Sequence, residues 1–321
     1  MRNTNRMLGI EARHLAALET VAETGSFARA ARELGYTQSA VSLQIGALER
    51  AAGTRLLVRP TGRRPVVPTE AGERLLRHAR RVVAQLEAAD ADLRALATGA
   101  AGSLRVGTFQ SVSVRVLPGV VRAFRERHPG IDVRLHEEPY DDVLTEQLER
   151  GRLDLAFCPH GVEGPFEQVE LLRDPYVLLA PEDSPLAGLA VAPTLREIGR
   201  LPLIAYGRSS YGVEARLRSQ GIEPDVVFRT DESRALQRLV GAGVGHAVVP
   251  LMSIDAPVPG MVIIDASRRV PPRRLGIAWH RDVTLPEAAH AFLDVVVERC
   301  AEVQRELDAG FAGRPPERTQ L

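Results

Sequence analysis

Lysine is absent from this chain: all 41 basic residues are arginine, set against 41 acids. A GC-rich genome accounts for that bias, and it carries no functional reading. Cysteine is scarce. Cys158 and Cys300 lie far apart with no metal-ligand spacing, which excludes a disulfide scaffold and fits a reduced, cytoplasmic compartment. No apolar run is long enough to span a membrane, and Met1 to Arg6 is not followed by a signal-type apolar region. A Gly-x-Ser-x-Gly nucleophile elbow, a P-loop and a full dinucleotide fingerprint are missing as well. The glycine-rich residues 241–245 follow a helix pattern and read as a turn. His160, His246 and His280 lack the spacing of a metal site, so neither metal nor cofactor is expected.

Net charge is also missing, which at first argues against a nucleic-acid partner. The balance is uneven, however. Residues 1–69 hold ten arginines against five acids, and the remainder holds 31 against 36. A basic head on an acidic body permits local attraction to phosphate without a basic protein overall. At 321 residues the chain is long enough for two or three domains.

Within the basic head, Leu15, Leu18, Val21 and Ala22 mark one face of a first helix ending near Gly25. Ser26 can cap a second helix over 27–34, which Gly35 ends. A short turn then leads to Thr37, placed to cap a third helix through Glu49. Val41, Ile45 and Leu48 recur on its core face, while Gln38, Ser39, Ser42 and Gln44 are read as its outer face. Amides and hydroxyls both donate and accept, which suits the mixed pattern of base edges in a major groove. The spacing predicts a helix-turn-helix with a recognition helix. After it, 55–59 and 65–68 are extended candidates around a Thr61-Gly62-Arg63-Arg64 turn, a hairpin wing whose Arg59, Arg63 and Arg64 would meet phosphate.

Thr37 to Glu49, with Arg59, Arg63 and Thr69-Glu70-Ala71-Gly72 after it, resembles the N-terminal signature of LysR-type transcriptional regulators. Three departures stand out: Gly46 where that family has a basic or polar residue, Leu57 where it has Phe, and Pro68 where it has Leu. Gly46 removes an expected phosphate contact.

From about Glu73 to Leu96 the sequence runs without a helix breaker, and Leu75, Ala79, Val82, Leu86, Ala89, Leu93 and Leu96 alternate by four and three. That is a heptad seam, which needs a partner helix. Self-association through Leu75, Val82, Leu86 and Leu93 is expected, giving a dimer suited to palindromic half-sites. The family resemblance implies the same, and often a tetramer.

Small residues around 98–102 mark a boundary. Beyond it strands and helices alternate, restart after residues 176–180, and close with a strand at 275–279 and a helix over 286–307. The pattern implies two α/β lobes with parallel sheets: lobe I from 102–178 and 275–307, lobe II from 179–274, and a disordered tail at 308–321. The fold class expected is thus α/β with an N-terminal all-α winged helix-turn-helix at 12–68, a linker helix at 69–98 and a two-lobed effector domain. The resemblance implies an architecture similar to periplasmic solute-binding proteins. Ligands of such sheets bind beyond strand carboxyl ends. The candidates there are Thr108, Gln110 and Ser111, then Cys158 and His160, then Arg208, Ser209 and Ser210, and Thr230. Ser111 matches the position from which family members contact effector. Hydroxyls with an arginine suggest a small carboxylate.

The implied function is a DNA-binding regulator controlled by a small-molecule effector, with double-stranded promoter DNA and a second copy of itself as partners and RNA polymerase as a further candidate. Two alternatives stand beside it: a redox-responsive regulator using Cys158, and a two-lobed enzyme, for which no acid, base or nucleophile has motif support.

Overall fold

The computed structural model describes residues 9–59, 64–97, 102–207, 213–254, 256 and 258–312. These form two compact units, a head with its long helix and a body.

Local chemistry builds the head. Helix α1 (Ala12–Thr24) ends at Gly25, whose φ of 62° lies in the left-handed region that glycine enters without strain. Ser26 caps α2 (Phe27–Glu33) by accepting from the Arg29 amide, and Thr37 caps α3 (Gln38–Ala52) by accepting from the Ala40 amide. Strands β1 (Leu57–Val58) and β2 (Val67–Pro68) pair antiparallel as a wing shorter than the sequence suggests. The wing is stapled to the first turn, since the Val66 amide donates to the Gly25 carbonyl at 2.9 Å. A side chain at Gly25 would come within 2.9 Å of Pro65.

Helix α4 (Glu70–Ala97) does two jobs along its length. Its first turns carry Leu75, Leu76 and Ala79 into the head's core beside Leu18, Val21, Val41, Ile45 and Leu48. The expected dimer seam is therefore corrected at its start: Leu75 packs within its own head. Farther along, Val82, Leu86 and Leu93 stand 46%, 52% and 67% exposed.

In the body, β3 (Gly102–Thr108), α5 (Gln110–Arg115), α6 (Leu117–Arg127), β4 (Ile131–Glu137), α7 (Asp141–Glu149), β5 (Leu155–Pro159) and β6 (Phe166–Asp174) come first. Strand β7 (Tyr176–Pro181), α8 (Leu195–Ile198), β8 (Leu203–Ala205), α9 (Val213–Ser219), β9 (Val226–Arg229), α10 (Ser233–Gly241), β10 (Ala247–Pro250) and β11 (Met261–Asp265) follow. Strand β12 (Arg273–His280) and α11 (Glu287–Ala312) complete the chain's described part.

Sheet order in the first lobe is β4-β3-β5-β12-β6. Only part of this sheet is parallel, as β3 is to β5, because β12 returns from the other lobe and runs antiparallel to both β5 and β6. The second lobe centres on β7, antiparallel to β10 and β11, with parallel β8 and β9 joined to it by a Leu203–His246 bridge. Every residue of β7 is buried. Tyr176, Leu178 and Ala180 face one apolar cluster, while Val177 and Leu179 face another.

The lobes therefore exchange at Pro175, ahead of the boundary expected at 178, and β12 re-enters lobe I at Arg273. Helix α11 also runs to Ala312, past the expected start of the tail at 308; residues 313–321 lie outside the described part. In lobe I, Phe124 of α6 meets Phe292 of α11 edge to face at 5.2 Å. Among the described residues no helix is long and apolar enough to cross a membrane.

Candidate functional site

Helix α3 presents a narrow outward stripe. Gln38 and Ser39 are exposed at its start, with the Ser39 hydroxyl 3.0 Å from that of the cap Thr37. Ser42 is half-buried. The stripe continues through Leu43 and Gly46 to Arg50, and Leu43 at its centre is 69% exposed. Gln44 is a correction: one residue past Leu43 it has turned about 100° away, and its Oε1 is buried without a partner. A side chain at Gly46 would meet nothing closer than the Arg50 guanidinium at 3.5 Å. Arg50 thus lies back over Gly46 and brings a positive charge to the place where glycine supplies none.

On the wing, Arg59 is held within the head, 3.8 Å from the Glu49 carboxylate and with its guanidinium 4.8 Å from the Phe27 ring. Glu49 also accepts from the Leu56 amide, fixing the turn into β1. Arg64 is exposed, and Arg63 lies outside the described residues.

The body holds a cleft of about 920 Å³ between its lobes. Lobe I contributes Phe109, Gln110 and Ser111 after β3, Tyr140 to Asp142 at the start of α7, and Arg273. Lobe II contributes Tyr176, Tyr206 and residues 230–233. Hydrogen bonds cross the cleft among the described residues. The Tyr140 hydroxyl donates to Asp231 at 2.6 Å, and the Ser233 hydroxyl donates to Gln110 Oε1 at 2.5 Å. With its proton committed to Gln110, Ser233 accepts from the Tyr206 hydroxyl at 3.0 Å.

A buried ion pair sits at the floor. Arg273 donates to Asp174 at 2.7 Å and to the Ser111 hydroxyl at 2.9 Å, and its guanidinium lies over Phe109. Asp174 is fully buried and also accepts from the Met252 amide at 3.0 Å. Burial pushes its carboxyl up, while Arg273 and that amide pull it back. Burial likewise raises Asp141, against the pull of Arg273.

Of the sequence candidates, Gln110, Ser111 and Thr230 line the cleft. Thr108 is buried beneath it, beside Ser113, and is no lining residue. His160, just past the end of β5, is not among the lining residues; its ring lies 3.9 Å from Glu170 of β6. Cys158 is fully buried in β5, and burial pushes its thiol up to about 12, as it does that of Cys300. Neither supplies the thiolate that oxidation needs at neutral pH. Arg208, Ser209 and Ser210 lie outside the described residues. Sequence reasoning missed Arg273, Asp174, Tyr140, Tyr176 and Tyr206. Tyr140 and Tyr206 follow strand ends as the recognised candidates do, so that signal was present; the Arg273–Asp174 pair spans 99 positions and gave none.

Residues 97–301 match the family model described as the LysR substrate binding domain, and residues 12–73 that of the bacterial regulatory helix-turn-helix protein, lysR family. The uncharacterized HTH-type transcriptional regulator YfeR of Shigella flexneri is 30% identical over 306 residues, covering 94% of this chain and 97% of its own. A protein of Streptomyces viridosporus named as a probable hydrogen peroxide-inducible genes activator is 34% identical over 257 residues, 75% of this chain and 78% of its own. Among solved structures, full-length CbnR complexed with its target DNA gives a TM-score of 0.61 at 24% identity, covering 90% of this chain and 99% of that one.

Proposed function

This chain belongs to the LysR family of bacterial transcriptional regulators, and from that membership we propose that a small molecule held in its cleft changes how its head engages promoter DNA. It is a DNA-binding regulator with an effector-binding body, and we assign it no catalysis. Acting on promoter DNA, it works in the cytoplasm. The observation that carries the reading is the cleft itself: Tyr140 donates to Asp231 and Ser233 donates to Gln110 from one lobe to the other, so a ligand between the lobes competes with these bonds or adds to them. Val82, Leu86 and Leu93 of α4 are covered by a second copy in this reading, which places two recognition helices on two half-sites. Further pairing into a tetramer and contact with RNA polymerase extend the same scheme.

Thr37, Gln38, Ser39 and Ser42 are its base-edge and phosphate contacts. Arg64 and Arg63 of the wing supply affinity that depends on salt. Arg64→Ala should weaken binding to all DNA sequences alike and make the dependence of log K on log salt shallower by about one unit, the value of one phosphate no longer neutralised. Fluorescence anisotropy across a salt series measures it, and a changed base preference in the variant would contradict the division between helix and wing.

For the effector, the acids lining the cleft favour a cation over the carboxylate that the sequence suggests. Glu137, Asp141, Asp142, Asp231 and Glu232 line the cleft with no arginine partner among the described residues, although arginine pairs with acids over much of the rest of the chain. The guanidinium of Arg273 is already held by Asp174. A protonated amine suits that acidic lining, and the tyrosine rings suit its apolar body or a cation–π contact. Phenethylamine and spermidine should raise the thermal midpoint of the full chain, with benzoate and succinate leaving it unchanged. A rise with carboxylates alone would reverse the charge assignment and leave the cleft as the effector site.

A further inference from the structure

We propose that Leu43 reads thymine, by packing its side chain on the C5 methyl group of a thymine in each half-site. The inference rests on the DNA-binding reading above and adds the chemistry of one base edge. Leu43 is 69% exposed at the centre of the outward stripe of α3, with Ser39 one turn before it and Gly46 one turn after. The head's apolar core does not include it. Folding therefore gives no account of a leucine there, and water makes it unfavourable.

Along the major groove the edges of adenine, guanine and cytosine offer hydrogen-bonding groups, while thymine adds a methyl group, so a leucine on a recognition helix has one apolar partner available. Gly46 helps. With no side chain of its own, it leaves room for the Arg50 guanidinium, which lies over it and suits the groove's phosphate wall beside Leu43. Gln38 and Ser39 are exposed at the start of the same helix; the amide of Gln38, and the hydroxyl capacity that Ser39 keeps beyond its contact with Thr37, suit hydrogen bonds to neighbouring pairs.

The test uses the full-length protein and the DNA fragment upstream of its own gene, prepared once with thymine and once with uracil throughout. Uracil pairs identically and lacks only the methyl group. Wild type should bind the uracil fragment about fourfold more weakly per half-site, the value of one buried methyl group. Leu43→Ala should bind both fragments equally, at about the wild-type level on uracil, whereas Leu43→Met should keep the preference for thymine. Both variants should unfold at the wild-type temperature, since the side chain is exposed.

Equal wild-type affinity for the two fragments overturns the assignment. So does a Leu43→Ala variant that retains the full thymine preference, because the preference then comes from DNA shape or another residue. A protein that retains neither fragment overturns the DNA-binding reading, and the assignment with it.

Discussion

Asp174→Ala should destabilise the body by about 3–5 kcal/mol, the cost of leaving a buried guanidinium without its partner. Asp174 is fully buried, Arg273 lies 2.7 Å away and is itself mostly buried, and the Met252 amide loses its acceptor in the same change. The pair ties the end of β6 to the start of β12, the two points where the chain passes between lobes. Its loss therefore loosens the crossing as well as the floor of the cleft. Calorimetry of the full chain should show the body's transition moving to lower temperature while the head's transition stays in place. Ser111→Ala removes one neutral acceptor from Arg273 and should cost about 1 kcal/mol. Equal effects from the two substitutions would contradict the assignment of Asp174 as the counter-ion.

Gly72→Ala should act on the other unit, with a loss of about 3 kcal/mol from overpacking against a rigid backbone. A methyl group at Gly72 would fall 2.0 Å from the Leu56 carbonyl oxygen and 3.2 Å from Pro68. That oxygen already accepts from the Thr69 amide at 2.9 Å, and the Thr69 hydroxyl accepts from the Gly72 amide at 3.0 Å. The first turn of α4 must retreat, separating the wing from the long helix. DNA retention should fall sharply at every salt concentration, while the body's transition and its response to ligand are unchanged. A variant as stable as wild type, with full retention, would show that the backbone approach is not needed.

The head was readable in sequence because its determinants are local. Ser26 and Thr37 cap the helices they precede, Gly25 ends the one it follows, and Val41, Ile45 and Leu48 recur at helical spacing. The error at Gln44 has the same origin. Residue type suggested an outward face, but the direction of a side chain depends on which neighbours bury its flank, and Leu43 took the outer position despite being apolar. Likewise the leading part of the heptad seam went to the head's own core, since a repeat cannot say whose surface it meets.

In the body, strand-end positions located the cleft and brought Gln110, Ser111 and Thr230 to it. The antiparallel return of β12 and the Arg273–Asp174 pair were not legible, because each depends on a pairing about a hundred positions away that no local propensity encodes. Strand β6 was missed for a different reason: Glu167, Glu170 and Arg173 interrupt its apolar alternation, Glu170 and Arg173 pairing with each other at the sheet edge.

A footprint of the full-length protein on the region upstream of its own gene tests the proposal that two heads, joined through α4, engage promoter DNA under control of the cleft. Protection of two half-sites related by an approximate two-fold axis is expected, with a pattern that shifts when an amine that stabilises the body is added. Absence of protection at low salt, or a single unsymmetrical patch indifferent to that ligand, would contradict it.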